Sequence, residues 1–225
     1  MFRNLLLTAA SLPLVVTLAG AADLNSKFDR WEPAISKFEK QDKADPPPQN
    51  AILFVGSSSI RLWKLDDSFP ELKTINRGFG GSEIVDSTHF ADRIIVKHKP
   101  SVIALYAGDN DIGRGKSAET VTKDFQEFVR VVHKELPDTK IVFIAIKPSI
   151  KRWNLIGTMR EANAAIRKLC EESDLLTFAD IDTPMIGDDD KPRPELFAKD
   201  GLHLNADGYK VWAKVLRPLI TDGSR

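Results

Sequence analysis

Cysteine is nearly absent: one residue, Cys170, in a chain of 225. An internal disulfide framework and a cysteine-based zinc cluster are therefore excluded. Neither sign of charge is in excess, since 32 Lys and Arg face 32 Asp and Glu. That balance argues against a strongly basic nucleic-acid binder and against an acidic solvating chain. Past the first twenty residues no segment is long and apolar enough to cross a bilayer, and there is no internal repeat or low-complexity tract. What remains is 42% hydrophobic and 28% charged, enough to build a core and a solvated surface. Disorder, collagen and a coiled-coil rod are excluded on that composition. The length suits one α/β domain.

The first segment reads as a targeting signal. Met1 to Asn4 carry one charge, Arg3, and Leu5 to Leu18 are uncharged and mostly apolar. Ala19-Gly20-Ala21 then supply the small residues a signal peptidase reads. The apolar stretch is shorter than the ~20 residues of a spanning helix. Residues 1–21 are thus expected to be a cleaved secretory signal rather than an uncleaved anchor. The absence of a following cysteine argues against a lipid anchor. The expected product is secreted or periplasmic, has no stable membrane insertion, and stays near neutral because only Arg3 is lost.

Residues 22–50 form a lead-in. Leu24, Phe28, Trp31, Ile35 and Phe38 recur at helical spacing, and Pro33 predicts a kink or two short helices. Asp45-Pro46-Pro47-Pro48 is a stiff extended connector. Strands and helices then alternate. Ala51–Val55, Leu72–Ile75, Ser101–Tyr106, Lys140–Ile146 and Leu175–Phe178 read as strands, the second the weakest. Ser82 is positioned to cap a helix running to about Lys97. Val121, Phe125, Phe128, Val132 and Leu136 line a second helix, and Ile156, Met159, Ala162, Ile166 and Leu169 a third. Tyr209, Trp212, Leu216 and Leu219 line the last, capped by Asn205. This order predicts a three-layer α/β/α sandwich around a mostly parallel, five-stranded sheet.

In such a sheet ligands bind beyond the carboxyl ends of the strands. Four blocks fall there: Gly56-Ser57-Ser58-Ser59, Asn76-Arg77-Gly78-Phe79-Gly80-Gly81-Ser82, Gly108-Asp109-Asn110-Asp111 and Asp200-Gly201-Leu202-His203. Each alone has an ordinary explanation: turn serines, a glycine turn, helix caps, one of four histidines. Together they are the parts of an acyl transfer. A serine is a nucleophile only if a base removes its proton, and His203 is a base near neutral pH. Asp200, three residues earlier, is close enough to hold one ring nitrogen. Gly81 offers an open backbone N–H and Asn110 a side-chain N–H for an oxyanion. His89, His98 and His133 lie on or beside expected helices and read as structural.

These four blocks, in this order, resemble the SGNH hydrolases, the GDSL-type esterases and lipases. The likeness runs over about residues 51–216 and is nearest to the platelet-activating-factor acetylhydrolase-like and carbohydrate acetylesterase members. It implies a flavodoxin-like fold with residues 51–222 as the catalytic domain. It implies Ser58 as nucleophile, Asp200 and His203 as its partners, and the Ser58 N–H, Gly81 and Asn110 as the oxyanion hole. It implies no cofactor or metal and a small-molecule or glycan ester as substrate. Two positions depart from the family's pattern: Ser57 replaces the usual acid, and Asp109 replaces the usual threonine, adding a carboxylate beside Asn110. The α/β-hydrolase elbow Gly-x-Ser-x-Gly is absent, since Ile60 holds its last position.

Other patterns compete. Gly113-Arg114-Gly115-Lys116-Ser117 imitates the end of a phosphate-binding loop, but Asn110 stands where its first glycine belongs. It is expected instead to be a basic loop at the site's edge, able to touch an anionic group. Asp188-Asp189-Asp190 lacks calcium-loop spacing and reads as a surface turn. Trp153, Leu155 and Ile156 serve equally as a groove wall or as core. Short acyl groups, acetyl above all, on a carbohydrate or small alcohol are the expected substrates. A lysophospholipase or thioesterase, and a non-catalytic glycan- or acyl-binding protein, are the alternatives.

Overall fold

Five short strands, largely apolar except for the second, pair side by side in the computed structural model, which describes residues 27–221. They are β1 (Ile52–Gly56), β2 (Thr74–Gly78), β3 (Val102–Tyr106), β4 (Lys140–Ile144) and β5 (Leu176–Ala179). All pairings are parallel and the order is β2-β1-β3-β4-β5. The chain leaves β1 in one direction for β2 and returns across it for β3. The switch point therefore lies between β1 and β3, and ligands of such sheets bind beyond the carboxyl ends of those strands. The expected signal, residues 1–21, and residue 222 of the expected domain lie outside the described residues.

Residues 31–221 belong to one compact unit, and residues 27–30 to a separate N-terminal one whose described part is a helical turn at 27–29. The lead-in is thus in two helical pieces. The second, α1 (Glu32–Ala44), carries Pro33 in its first turn, where a missing N–H costs nothing, so Pro33 starts this helix instead of kinking it.

Side chains alternate across the sheet because successive strand residues point to opposite faces. Ile52, Phe54, Val102, Ala104, Tyr106, Val142 and Ile144 share a core with Trp212, Leu216 and Ile220 of the last helix, α9 (Ala206–Thr221). Asn205 caps that helix as expected, its Oδ1 accepting from the Asp207 and Gly208 N–H groups at 2.9 and 3.1 Å. On the other face α7 (Ala118–Glu135) buries Val121, Phe125, Phe128 and Val132, with the Phe125 ring 4.9 Å from that of Phe143. Beside it α8 (Ile156–Glu171) buries Met159, Ala162, Ile166 and Cys170. The Cys170 thiol is a core group, its pKa pushed up to about 11 mainly by burial.

Apart from shifts of one or two residues at the ends of the other strands, with β4 ending at Ile144 and not Ile146, three features differ from the sequence reading. β2 lies two residues later than Leu72–Ile75, so Asn76, Arg77 and Gly78 are inside the strand instead of beyond it. Its residues are polar because β2 is an edge strand with one face half open. The helix expected from Ser82 to about Lys97 is broken into α4 (Ile84–His89), α5 (Ala91–Ile94) and a 3-10 turn at Val96–His98. The backbone leaves helical geometry twice, at Phe90 (φ −93°, ψ 9°) and at Ile95 (φ −123°, ψ −66°), which ends α4 and α5. Ser82 does not cap: its hydroxyl donates to the Phe79 carbonyl, and Glu83 and Asp86 close the helix start. The short helices α2 (Ser58–Arg61), α3 (Leu65–Ser68) and α6 (Asp109–Gly113) follow β1, α2 and β3 in turn.

Candidate active site

The nucleophile position is built by a turn that only glycine can make. Gly56 ends β1 at φ +132°, and a Cβ there would lie 1.9 Å from the Tyr106 carbonyl oxygen. The Ser57 N–H then donates to that same carbonyl at 3.0 Å, and the chain turns out of the sheet into α2. Asn76 braces the turn from β2. Its Nδ2 donates to the Ile60 carbonyl at 2.7 Å and the Trp63 carbonyl at 3.2 Å. Tyr209 of α9 donates its hydroxyl to the Ser59 carbonyl at 2.8 Å. Ser57 and Ser59 are buried, while Ser58 is partly open. Of the three serines, then, only Ser58 is presented at the sheet's edge.

Ser58 Oγ meets His203. The hydroxyl donates to His203 Nε2 at 3.0 Å across 145 residues of sequence. The other ring nitrogen, Nδ1, donates to Asp200 Oδ2 at 2.5 Å. A carboxylate only accepts, so this bond places the proton on Nδ1 and leaves Nε2 free to accept. Asp200 is itself held: its Oδ1 accepts from the Leu202 and His203 N–H groups, both at 2.9 Å. Desolvation pushes the Asp200 carboxyl up, but those donors and the imidazole outweigh it and hold it well below the usual carboxylate range. Gly201 makes the turn between the two at φ +64°, packed against Ile150.

The oxyanion candidates face the same edge. Gly81 sits in a turn at φ +82°, and neither its N–H nor that of Ser58, first in α2, has an acceptor among the described residues. Asn110 lies in the first turn of α6, and its Nδ2 donates to the Ser82 carbonyl at 3.0 Å. That bond uses one amide hydrogen and leaves a second for a ligand. Asp111 performs the capping. Its Oδ2 accepts from the Gly108 N–H at 3.0 Å and its Oδ1 from the Ile84 N–H at 3.3 Å, tying α6 to α4. The structure thus brings Ser58, His203 and Asp200 into one chain of hydrogen bonds and sets Gly81 and Asn110 in adjoining turns.

Asp109, the carboxylate at the position that departs from the family's pattern, is buried. Its Oδ2 accepts from Lys147 Nζ at 2.7 Å and lies 3.3 Å from the Tyr106 hydroxyl, and its Oδ1 is bound by Arg152 Nη1. Burial pushes this carboxyl up, but the two cations hold it below its ordinary value. Arg152 also reaches the Asp109 carbonyl through Nη1 at 2.9 Å and Asn110 Oδ1 through Nη2 at 3.2 Å. Lys147 and Arg152 were not legible as site residues. The available signal was Asp109 itself, because a carboxylate at a buried strand end needs a cation, and Lys147 follows the end of β4.

The basic loop at Gly113–Ser117 lies beside Gly81, at the site's edge as expected, with its cations bound within the protein. Arg114 Nη1 binds Glu83 at 2.6 Å and its Nη2 donates to the Gly81 carbonyl at 2.9 Å. Lys116 is shared among Glu83, Asp111 and Asp124 at 2.7 to 2.9 Å. Both cations are engaged by internal acceptors, and they lock the glycine turn in place. Trp153, Leu155 and Ile156 are half-buried, with Arg160 over the Trp153 ring.

The profile of the GDSL-like lipase/acylhydrolase family matches residues 61–211, which takes in Gly81, Asn110, Asp200 and His203 and begins three residues after Ser58. A curated relative, platelet-activating factor acetylhydrolase IB subunit alpha2 from Gallus gallus, is 27% identical over 215 residues, covering 88% of this chain and 86% of its own. A GDSL-like lipase from Bacteroides thetaiotaomicron superposes with a TM-score of 0.73 at 17% identity, over 84% of this chain and 97% of its own. A carbohydrate esterase family 3 protein from Talaromyces cellulolyticus superposes with a TM-score of 0.60 at 16% identity, over 76% and 96%. At those identities the two structures show a shared fold.

Proposed function

The chain belongs to the GDSL-like lipase/acylhydrolase family and is a carboxylic ester hydrolase, and from that premise we propose that it cleaves short acyl esters, acetyl above all, through an acyl-enzyme on Ser58. The observation that carries the reading is the continuous bond from Ser58 Oγ through both nitrogens of His203 to Asp200.

The chemistry follows from the donors and acceptors. As Ser58 Oγ attacks the ester carbonyl carbon, its proton passes to His203 Nε2. The imidazolium so formed is stabilised by Asp200, which stays ionised. Negative charge gathers on the carbonyl oxygen, where the Ser58 and Gly81 N–H groups and the second Nδ2 hydrogen of Asn110 supply donors. The tetrahedral intermediate collapses, and Nε2 returns the proton to the departing alcohol oxygen. Water then attacks the acyl-serine by the same route, giving up its proton to Nε2, and the carboxylic acid leaves Ser58 regenerated. These steps use the chain's own residues throughout.

Short acyl groups are supported on two grounds. Among the described residues only Leu62 and Ile150 are large hydrophobics with substantial exposure, too few for the broad apolar face a long-chain lipase uses. The curated relative is named an acetylhydrolase and one superposed structure a carbohydrate esterase. We further propose export to a secreted or periplasmic location after removal of residues 1–21, which brings the enzyme to ester substrates outside the cytoplasm. Hydrolysis of p-nitrophenyl esters from C2 to C16, followed by acetylated oligosaccharides, tests the specificity. Rates should peak at C2 to C4. A maximum above C8 would contradict the acetylesterase reading and favour a lysophospholipase.

A further inference from the structure

We propose that Arg152 is a positioning residue for the oxyanion hole: it holds the Asn110 carboxamide with its oxygen turned away from the nucleophile and its NH2 turned toward it. The inference rests on the esterase reading and concerns how one donor of that site is aimed.

A carboxamide has two orientations of nearly equal shape and opposite chemistry. In one, Asn110 offers N–H to a developing oxyanion. In the other it offers oxygen, which repels it. Two fixed neighbours decide between them. The Ser82 carbonyl can only accept, and it takes Asn110 Nδ2 at 3.0 Å. The Arg152 guanidinium can only donate, and its Nη2 reaches Asn110 Oδ1 at 3.2 Å. A flip would set carbonyl against carbonyl and NH2 against a cation at once. The amide is therefore held from both ends.

Arg152 is in turn fixed by its own anchors. Its Nη1 binds both the Asp109 carboxylate and the Asp109 main-chain carbonyl, the latter at 2.9 Å. Asp109 is buried and held from the far side by Lys147 at 2.7 Å. The guanidinium lies flat on Gly113, where a Cβ would come within 2.9 Å of its central carbon. A planar fork spans the Asp109 and Asn110 acceptors together, and a lysine ammonium has no such geometry. The cation also draws electron density from Oδ1, which strengthens Nδ2–H as a donor when charge builds on the substrate oxygen. An effect realised only as that charge develops raises kcat and leaves KM nearly unchanged.

The test is a double-mutant cycle on acetyl-ester hydrolysis, with Arg152→Ala and Asn110→Ala singly and together. Arg152→Ala alone is expected to lower kcat about tenfold to a hundredfold, less than the loss of the donor itself, with KM within about twofold. In the Asn110→Ala background the same change is expected to lower kcat less than about threefold, because no amide remains to be aimed. Equal losses in both backgrounds, or an unchanged kcat in the wild-type background, overturn the proposal. Should Arg152→Ala fail to fold, Arg152→Lys keeps a charge opposite Asp109 without the fork, and the same cycle is read with it. The esterase reading is tested apart from this, by Ser58→Ala: a protein inert without Ser58 but additive at Arg152 and Asn110 retains the reading and loses the inference.

Discussion

Ser58 stands between two serines of the same chemistry, and the difference among them is one of exposure and reach. Ser57 and Ser59 face into the protein, while Ser58 Oγ points to a base whose proton is already placed on the far nitrogen. That distinction was not readable from the triplet Ser57-Ser58-Ser59, and resemblance alone singled out the middle one. His203 and Asp200 were legible because three residues on a loop set a carboxylate beside an imidazole. Removing a single donor at Asn110 with Asn110→Ala should lower kcat about 10²–10³-fold with a small change in KM, as measured with p-nitrophenyl acetate. At Cys170 the raised thiol pKa of about 11 keeps the group protonated at neutral pH. A disulfide-exchange reagent at pH 8 should therefore label native protein far more slowly than protein in denaturant. Equal rates would place Cys170 at the surface.

Among the elements, the central strands were legible because strands buried on both faces are unbroken apolar runs, as in β1, β3 and β4. The edge strand β2 was misplaced by two residues because Thr74 and Asn76 meet solvent and the buried Arg77 is charged, so the strand carries little apolar signal. The breaks of the helix after Ser82 fall at Phe90 and Ile95, apolar residues that carry no glycine or proline signal. The turn from β1 into α2 is the most constrained junction. Gly56→Ala puts a methyl into the Tyr106 carbonyl at a left-handed φ, a clash with backbone that no side chain can relieve. It should destabilise the protein by more than about 2 kcal/mol in urea titration, and reduce esterase activity in whatever fraction stays folded. Wild-type stability in this variant would show that the turn relaxes freely.

In the whole molecule the 2-1-3-4-5 strand order does the gathering. It brings the segments after β1 and β3 side by side at one edge of the sheet, and α9 is preceded by the loop that carries Asp200 and His203 to the same edge. Alternation of strands and helices made this architecture readable from sequence, whereas the ion-pair cluster of Asp109, Lys147 and Arg152 joins the start of α6 to the segment after β4 and has no local signature. A second buried cluster lies elsewhere, where His98 meets Arg77 at 3.3 Å and Asp42 at 3.5 Å. Burial, with Arg77 and Lys97 nearby, lowers the His98 pKa to about 4 despite Asp42. Between the ordinary histidine value of about 6.5 and 4, the unfolded chain binds this proton and the folded one does not. Stability should accordingly fall as pH drops through that window, by an amount on the order of 2–3 kcal/mol, and His98→Asn should flatten that part of the urea-midpoint profile. An identical slope in the variant would assign the acid sensitivity to other groups.

The central claim is that Ser58 is a nucleophile activated by His203. The most direct measurement is stoichiometric labelling with a fluorophosphonate, read by intact mass and peptide mapping. One adduct per chain is expected, on Ser58, absent in Ser58→Ala and slowed by orders of magnitude in His203→Ala. An unlabelled wild-type protein, or an adduct on Ser57 or Ser59, contradicts it.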